Sequence, residues 1–369
     1  MKPLPSTRPD WVPDNAGVEF TTKVVPGTPA PAPDRRPVKR RIPDDTEALA
    51  VAIRGGDRGA LARGITLIES RAATHRAAAD TLLNLLTPLA GGAIRVGITG
   101  APGAGKSTFI DALGAQLCDD GHRVAVLSVD PSSPVTHGSI LGDKTRMENL
   151  SRKKNAFIRP SPSGGELGGV ARRTRESIVL CEAAGFDVVL VETVGVGQSE
   201  VLVRGMVDCF LVLLLAGAGD ELQGIKKGIL ELADILAVNK ADGDNRKRAE
   251  AARREFSRAL HYLAAPENAW QPQVLACSAE AGEGVGEVWT TIRKFFDKSR
   301  STRTFAARRQ EQALAWLDAL IGEGLREAYG SKRGIVALRN ELDMQVGAGL
   351  VPAPVAARRL LAAAGFARD

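Results

Sequence analysis

Residues 100–107 read Gly-Ala-Pro-Gly-Ala-Gly-Lys-Ser and fit the spacing G-x-x-x-x-G-K-[ST] of a phosphate-binding loop. In such a loop backbone N–H groups wrap around a phosphate, and glycines let the chain approach it without a Cβ in the way. Lys106 is expected to reach the β and γ phosphates, and the Ser107 hydroxyl to bind Mg²⁺. We predict nucleotide contacts along the whole loop: Gly100, Ala101, Pro102, Gly103, Ala104, Gly105, Lys106, Ser107 and Thr108.

A second motif predicts which base the nucleotide carries. Residues 239–242 read Asn-Lys-Ala-Asp, follow a predicted strand at 235–238, and fit the guanine-reading pattern N-K-x-D. A carboxylate at Asp242 can accept hydrogen bonds from N1–H and the exocyclic N2–H of guanine, a donor pair that adenine lacks. A third loop after a predicted strand at 274–276 offers a backbone N–H to the base oxygen. The predicted ligand is GTP or GDP, held on the base side by Asn239, Lys240, Asp242, Ser278, Ala279 and Glu280.

The segment after a predicted strand at 188–191 stands where most GTPases carry D-x-x-G. It reads Glu-Thr-Val-Gly, so Glu192 is expected to hold Mg²⁺ or its water, and the N–H of Gly195 to contact the γ-phosphate. The next residue is Val196, where Ras-like proteins place a glutamine that positions water. Gln198 is a weak substitute. Intrinsic hydrolysis should therefore be slow, or should use other groups.

Two further acidic residues follow the predicted strand at 124–129. Asp130 and Asp143 could reach the magnesium side of the phosphates. The residues alone leave the alternative open that Asp130 caps a helix and that Asp143 is a surface residue. The stretch 217–228, with glycines and mixed charges, suggests a mobile loop that enters a helix; taken alone it is an ordinary connection between a strand and a helix.

The composition is that of a soluble globular protein with two or three domains: 369 residues, 44% hydrophobic and 25% charged. Aromatic residues make up 4%, which argues against stacking platforms for nucleic acid, and anionic nucleotides account for the net charge of +6 equally well. The sequence contains no run of 18 apolar residues, so we expect no transmembrane helix. The four cysteines are far apart and form no C-x-x-C, as expected of reduced thiols in a cytoplasmic protein.

Short, continuous apolar runs predict a doubly wound, mainly parallel α/β sheet with ligand loops at the carboxyl ends of its strands. Asp45 or Thr46 is expected to cap a first helix. The apolar residues Leu314, Leu317, Leu320, Ile321 and Leu325 need a partner surface, in the same chain or in a second copy. We predict a disordered proline-rich leader at 1–43, a helical segment at 44–90, a P-loop GTPase domain at 91–298 and a C-terminal helical segment at 299–369. The predicted strands are 94–98, 124–129, 157–158, 188–191, 210–215, 235–238 and 274–276.

With these residues the chain resembles the MeaB/ArgK-like family of P-loop GTPases, the chaperones of adenosylcobalamin-dependent methylmalonyl-CoA mutase. The resemblance runs from about residue 63 to about residue 296. It is carried by Val-Asp-Pro-Ser-Ser at 129–133, Gly-Ser-Ile-Leu-Gly-Asp-Lys-Thr-Arg-Met at 138–147, Phe-Ile-Arg-Pro-Ser-Pro at 157–162, Glu-Thr-Val-Gly-Val-Gly-Gln-Ser-Glu at 192–200 and Gly-Ala-Gly-Asp-Glu-Leu-Gln-Gly-Ile-Lys-Lys-Gly at 217–228. The proline-rich leader does not belong to the common pattern.

The resemblance implies a homodimer, held largely by the C-terminal helices, that gates cofactor loading on an acyl-CoA mutase. It makes 217–228 a third switch loop in which Asp220, Gln223 and Lys226 convey the nucleotide state to the mutase. It leaves open whether the mutase acts on methylmalonyl-CoA, isobutyryl-CoA or a hydroxylated relative. The implied magnesium set is Ser107, Asp130, Asp143 and Glu192, and the predicted catalytic set is Lys106, Glu192, Asp130 and Lys226.

Three alternative functions fit the sequence less well. A metal-insertion GTPase of the nickel or cobalt type usually carries Cys and His ligands near its switches, and this sequence shows no such cluster. A small-molecule kinase or an ATPase has no need for the guanine-reading residues Asn239, Lys240 and Asp242. An interaction protein with a degenerate nucleotide site is disfavoured by the intact Lys106 and Ser107.

Overall fold

A single seven-stranded sheet forms the centre of the protein, in the strand order β3-β2-β4-β1-β5-β6-β7. A computed structural model describes residues 45–70, 72–129, 147–160, 167–193, 199–216, 227–261 and 270–366. Every pairing between these strands is parallel, which confirms the predicted sheet and makes it fully parallel. The strands are β1 (Ile94–Gly100), β2 (Val124–Val129), β3 (Ala156–Arg159), β4 (Val188–Thr193), β5 (Cys209–Leu215), β6 (Ile235–Asn239) and β7 (Gln273–Ala276).

Helices connect the strands and extend the chain at both ends of the described range. The first three, α1 (Thr46–Arg54), α2 (Arg58–Glu69) and α3 (Ala73–Leu86), precede the sheet. The connecting helices are α4 (Lys106–Asp119), α5 (Glu148–Ser151), α6 (Leu167–Ala183), α7 (Ser199–Arg204), α8 (Lys227–Leu232) and α9 (Arg246–His261). After the sheet come α10 (Val285–Ser301), α11 (Thr304–Gly330), α12 (Ile335–Gly347) and α13 (Ala353–Ala363).

The strands are predominantly apolar because both faces of the sheet are covered. On one face α4 packs against β1, β2 and β4, and α10 packs beside it against β5, β6 and β7. The two helices contribute Phe109, Ile110 and Ile292, all fully buried. Burial of side chains of this size stabilises the fold by about 1.5–3 kcal/mol each. The core therefore holds the carboxyl ends of β1, β4 and β6 in a fixed relation to one another.

The first described helix begins at a cap that the sequence predicts. Asp45 has extended backbone and its carboxylate accepts a 2.9 Å hydrogen bond from the N–H of Ala48. Of the two predicted caps, Asp45 is therefore the one used, and Thr46 is the first residue of α1. The predicted leader at 1–43 lies outside the described residues.

Helix α11 is fixed to the amino-terminal edge of the sheet by buried charges. The guanidinium of Arg309 donates to both carboxylate oxygens of Asp208, at 2.8 and 2.7 Å, and to the carbonyl of Ala93 at 2.8 Å. Its neighbour Arg308 lies 3.5 Å from the carboxylate of Asp234. Because Asp208 precedes β5 and Ala93 precedes β1, the first turns of α11 are held to two central strands.

The face of α11 farther along the helix is apolar and exposed. Leu314, Leu317, Ile321 and Leu325 expose 51–56% of their surface. They recur every three or four positions, so they lie on one side of the helix. The sequence leaves open whether a partner surface in the same chain covers these side chains. Among the described residues, none covers them. No described helix combines the length and the apolar character needed to cross a membrane.

Candidate functional site

The loop between β1 and α4 has the shape that its glycines predict, and two of them are also required by neighbouring protein atoms. Gly105 adopts φ +85° at the start of α4, and a Cβ there would lie 2.6 Å from Nδ2 of Asn239. A Cβ on Gly100 would overlap the carbonyl oxygen of Leu213 in β5. The glycines thus let the loop fit beneath β5 and β6, in addition to admitting a phosphate.

Lys106 lies in the concavity of this loop. Its ammonium donates to the carbonyls of Gly100 at 2.8 Å and Ala101 at 3.2 Å, and the residue is 9% exposed. Burial lowers the pKa of Lys106, and the carboxylates of Glu192 and Glu200 oppose that shift. A cation held in a ring of backbone groups at the start of a helix is suited to bind phosphate.

Ser107 and Glu192 meet at the start of α4. The Ser107 hydroxyl donates a 2.8 Å hydrogen bond to Oε1 of Glu192, which lies near the end of β4. A hydroxyl and a carboxylate are hard oxygen donors of the kind that Mg²⁺ prefers, so this pair fits the predicted metal. Asp130 and Asp143, the other two predicted metal-side residues, lie outside the described residues. Across the part of the chain that the structure describes, no group of three or more His, Cys, Asp or Glu side chains could hold a metal ion.

Asn239 connects the phosphate loop to the third loop. Its amide nitrogen donates to the carbonyl of Ala104 at 2.8 Å, and its amide oxygen accepts from the N–H of Ala279 at 3.0 Å. The thiol of Cys277 points at the same oxygen from 3.7 Å. Burial raises the pKa of Cys277 to about 12, so the thiol stays protonated at neutral pH. Asn239 is 1% exposed and therefore acts as a buried connector between the two loops.

Asp242 and Ser278 also lie together. The Ser278 hydroxyl donates to Oδ2 of Asp242 and accepts a 3.1 Å hydrogen bond from the N–H of Ala281. Lys240 has φ +58°, and its carbonyl accepts from the Asn245 side chain at 2.7 Å. This left-handed residue turns the chain so that the carboxylate of Asp242 faces the third loop.

The structure thus brings the described part of the predicted site to one edge of the sheet. The phosphate loop follows β1, Glu192 ends β4, the N-K-x-D segment begins in β6, and the third loop follows β7. Pro102, Gly103, Thr108 and Glu280 are exposed there. The predicted site and switch residues Asp130, Asp143, Gly195, Asp220, Gln223 and Lys226 lie outside the described residues.

One feature of this edge has no role in the sequence-based prediction. Among the described residues, five buried side-chain atoms lack a hydrogen-bond partner, and three of them belong to Ser199 and Glu200 at the start of α7. A fourth, Oγ of Ser128, lies near the end of β2. Glu200 falls in the segment at 192–200 that carries the family resemblance, but a lone acid after a glycine loop gives no signal of burial.

Comparison with known proteins identifies the family. The family model described as "Methylmalonyl Co-A mutase-associated GTPase MeaB" matches residues 61–333. A putative GTPase of Caulobacter vibrioides is 56% identical over 322 residues, which cover 87% of this chain and 98% of the relative. The mitochondrial methylmalonic aciduria type A homolog of Mus musculus is 48% identical, with 74% of this chain and 68% of the relative covered.

A solved structure supports the same conclusion. The crystal structure of a LAO/AO transport system kinase superposes with a TM-score of 0.70 at 39% identity, and the match covers 85% of this chain and 96% of that one. The order of the strands, the P-loop and the similarity to these relatives all support the same family assignment. The chain belongs to the MeaB family of P-loop GTPases.

Proposed function

We propose that this GTPase reads guanine with Asp242 and the third loop while it holds the phosphates with residues 100–108. The observation that carries the proposal is the buried side chain of Asn239, which hydrogen bonds to both Ala104 and Ala279. A base-side loop tied directly to the phosphate loop sets a fixed distance between the two ends of a bound nucleotide. Asp242, hydrogen-bonded to Ser278, would then accept from N1–H and N2–H of guanine.

Magnesium completes the proposed phosphate site. Ser107 and Glu192 would hold the ion or its water, together with Asp130 and Asp143. When bound, the ion would neutralise charge that develops on the phosphates during hydrolysis. The Lys106 ammonium, already inside the loop, would balance charge at the bridge between the β and γ phosphates.

The proposed biological task is that of a chaperone for an adenosylcobalamin-dependent acyl-CoA mutase. The description of the family model names methylmalonyl-CoA mutase, and the mouse relative is named for methylmalonic aciduria. A γ-phosphate orders switch loops and its loss releases them, so a partner that prefers one loop state responds to the nucleotide. In this proposal the segment 217–228, with Lys226, reports the nucleotide state and gates cofactor loading on the mutase.

We also propose a cytoplasmic homodimer. The exposed apolar face of α11, formed by Leu314, Leu317, Ile321 and Leu325, supports a second copy as the occupant, since water-exposed apolar stripes of this kind mark interfaces. All four cysteines are free and buried, which is compatible with a reducing compartment.

The decisive experiment is GTP hydrolysis by the purified protein with and without a cobalamin-dependent acyl-CoA mutase, with ATP as the control nucleotide. We expect slow turnover of GTP alone, no turnover of ATP, and a sharp rise when the mutase is added. A rate of GTP hydrolysis that does not change with any such mutase would leave the GTPase assignment intact and would reject the chaperone proposal. Turnover of ATP at the rate of GTP would reject the assignment of guanine recognition to Asp242.

A further inference from the structure

Glu200 is a buried carboxylate to which the described part of the chain donates no hydrogen bond. The residue is 1% exposed, and neither carboxylate oxygen has a hydrogen-bond partner among the described residues. Ser199 beside it is fully buried, with an unpartnered hydroxyl. Burying such groups without partners is unfavourable, and proteins keep them mainly where a ligand or water completes the bonding.

The position of Glu200 points to the phosphate end of the site. Helix α7 begins six residues after β4 ends at Thr193, and it packs against β4 and β1, the strands that carry Glu192 and the phosphate loop. Glu200 is in the first turn of α7, at the carboxyl edge of the sheet. Its charge acts on the Lys106 ammonium together with that of Glu192.

The chemistry of the site restricts what Glu200 can bind there. The phosphates of GTP are anions, so a carboxylate beside them needs a donor between the two groups. The Lys106 ammonium, which donates to two backbone carbonyls, is assigned in the proposed site to the bridge between the β and γ phosphates and so is not this donor. A water molecule between the γ-phosphate and Glu200 can donate one proton to each and leave a lone pair free to attack. Val196, which stands in place of the water-positioning glutamine of Ras-like proteins, has no side chain that could hold it.

We propose that Glu200 is the catalytic residue that holds the water attacking the γ-phosphate of GTP. The water oxygen forms a bond to the γ phosphorus while the bond from that phosphorus to the bridging oxygen breaks. The bridging oxygen keeps the electron pair and leaves as part of GDP. One water proton stays on the phosphate product, and the other passes to Glu200 and then to solvent, which restores the carboxylate. This proposal rests on GTP hydrolysis alone and not on a mutase partner.

The test compares the full chain with its Glu200→Gln variant in single-turnover hydrolysis at saturating GTP and Mg²⁺, without any partner protein. Glutamine keeps the size of the side chain but cannot take the proton. We expect the rate constant to fall about a hundredfold, as for loss of a positioned general base, while the dissociation constant for GTP changes less than about twofold. The melting temperature should stay level or rise, because a neutral amide is cheaper to bury unpaired.

Two further variants make the result decisive. Glu200→Asp keeps the charge but withdraws it by one methylene, so hydrolysis should again slow without loss of binding, and this variant decides the question if Glu200→Gln does not fold. Glu176→Gln is the matched control, since Glu176 is 4% exposed but ion-paired with Arg172 at 3.0 Å, in α6. It should lower the melting temperature and leave the rate per folded molecule unchanged.

Either of two results would overturn the proposal. One is an unchanged rate constant for both Glu200 variants. The other is a slowed reaction whose rate constant is fully restored by a higher Mg²⁺ concentration, which would assign Glu200 to the hydration shell of the metal. Because no mutase is present in this test, a negative result for Glu200 would not bear on the proposed chaperone function.

Discussion

The hydroxyl of Ser107 donates to the carboxylate of Glu192 across 2.8 Å, although 85 positions separate the two residues in the chain. The contact exists because β1 and β4 are adjacent in the sheet and end at the same edge. It joins the start of α4 to the segment that leads into residues 194–198. A displacement of either side chain at the metal site therefore affects both the start of α4 and the end of β4.

Replacing Ser107 by alanine should weaken magnesium-dependent hydrolysis. Loss of one hydrogen bond to a charged group costs about 1.5–3 kcal/mol, so the Mg²⁺ concentration for half-maximal GTP hydrolysis should rise about ten- to a hundredfold. The control is Ser301→Ala, at the exposed end of α10. An unchanged magnesium requirement in Ser107→Ala would remove this hydroxyl from the metal site.

Gly105 and Gly103 form a matched pair for testing the loop geometry. Their φ angles are +85° and +82°, but a Cβ on Gly103 meets nothing within 4 Å, whereas one on Gly105 meets Asn239. Both alanine variants pay about 1–2 kcal/mol for left-handed backbone, and Gly105→Ala should lose at least about 1 kcal/mol more through the collision. Urea unfolding without nucleotide measures the difference. Equal losses would mean that Asn239 moves aside freely.

Asn239→Ala should destabilise the protein before any nucleotide is added. The change leaves the carbonyl of Ala104 and the buried N–H of Ala279 without their partners, at a cost of about 1–3 kcal/mol. The comparison is Asn245→Ala, whose amide donates at the surface to Lys240 and should cost well under about 1 kcal/mol. If both variants unfold at the same urea concentration, the connecting role of Asn239 is wrong.

Asp242→Asn should exchange guanine for xanthine. An asparagine amide donates to the extra oxygen of xanthine but offers no acceptor pair to guanine, so GTP affinity should fall about a hundredfold while XTP affinity rises. Competition of GTP and XTP for a fluorescent nucleotide provides the readout. The control is Asp244→Asn. Asp244 is exposed and lies in the short 3-10 helix that follows Asp242, so this change should leave the ratio of GTP affinity to XTP affinity unchanged. GTP selectivity that survives Asp242→Asn would contradict the assignment.

Arg309→Ala should detach α11 from the sheet. Its guanidinium bonds to Asp208, which is 2% exposed, and removing one member of a buried pair costs about 3–5 kcal/mol because the other charge stays buried. Arg326→Ala, on an exposed part of the same helix, should cost less than about 0.5 kcal/mol. Calorimetric melting of both variants checks the prediction, and similar melting temperatures would disprove the anchoring role.

The sequence predicts the elements of this protein better than the contacts between them. All seven strands lie where the apolar runs place them, because a strand buried on both faces must be apolar along its length. The capping role of Asp45 is also local, and it is predicted. The overlap of Gly105 with Asn239 could not be foreseen, since it depends on how closely β6 approaches the loop.

The long-range charges show the same limit. The sequence gives no indication that Arg308 and Arg309 form buried ion pairs, and only the fold shows that they reach Asp234 and Asp208. Glu200 is another case, because nothing in its neighbourhood in the sequence distinguishes a buried acid from a solvated one. Burial of a charged side chain is a property of the assembled fold.

The attachment of α11 at its beginning makes this helix a lever. Its 27 residues span about 40 Å, and beyond the anchor at Arg309 its ion pair with α3, between Arg76 and Glu327, is exposed and 3.6 Å long. A tilt of about 5° at Arg309 would carry the far end sideways by about 3 Å over the roughly 30 Å of helix that follow. Because Asp234 pairs with Arg308 of α11 and also with Arg204 of α7, a small adjustment at the base can be read out as a large displacement far from the nucleotide.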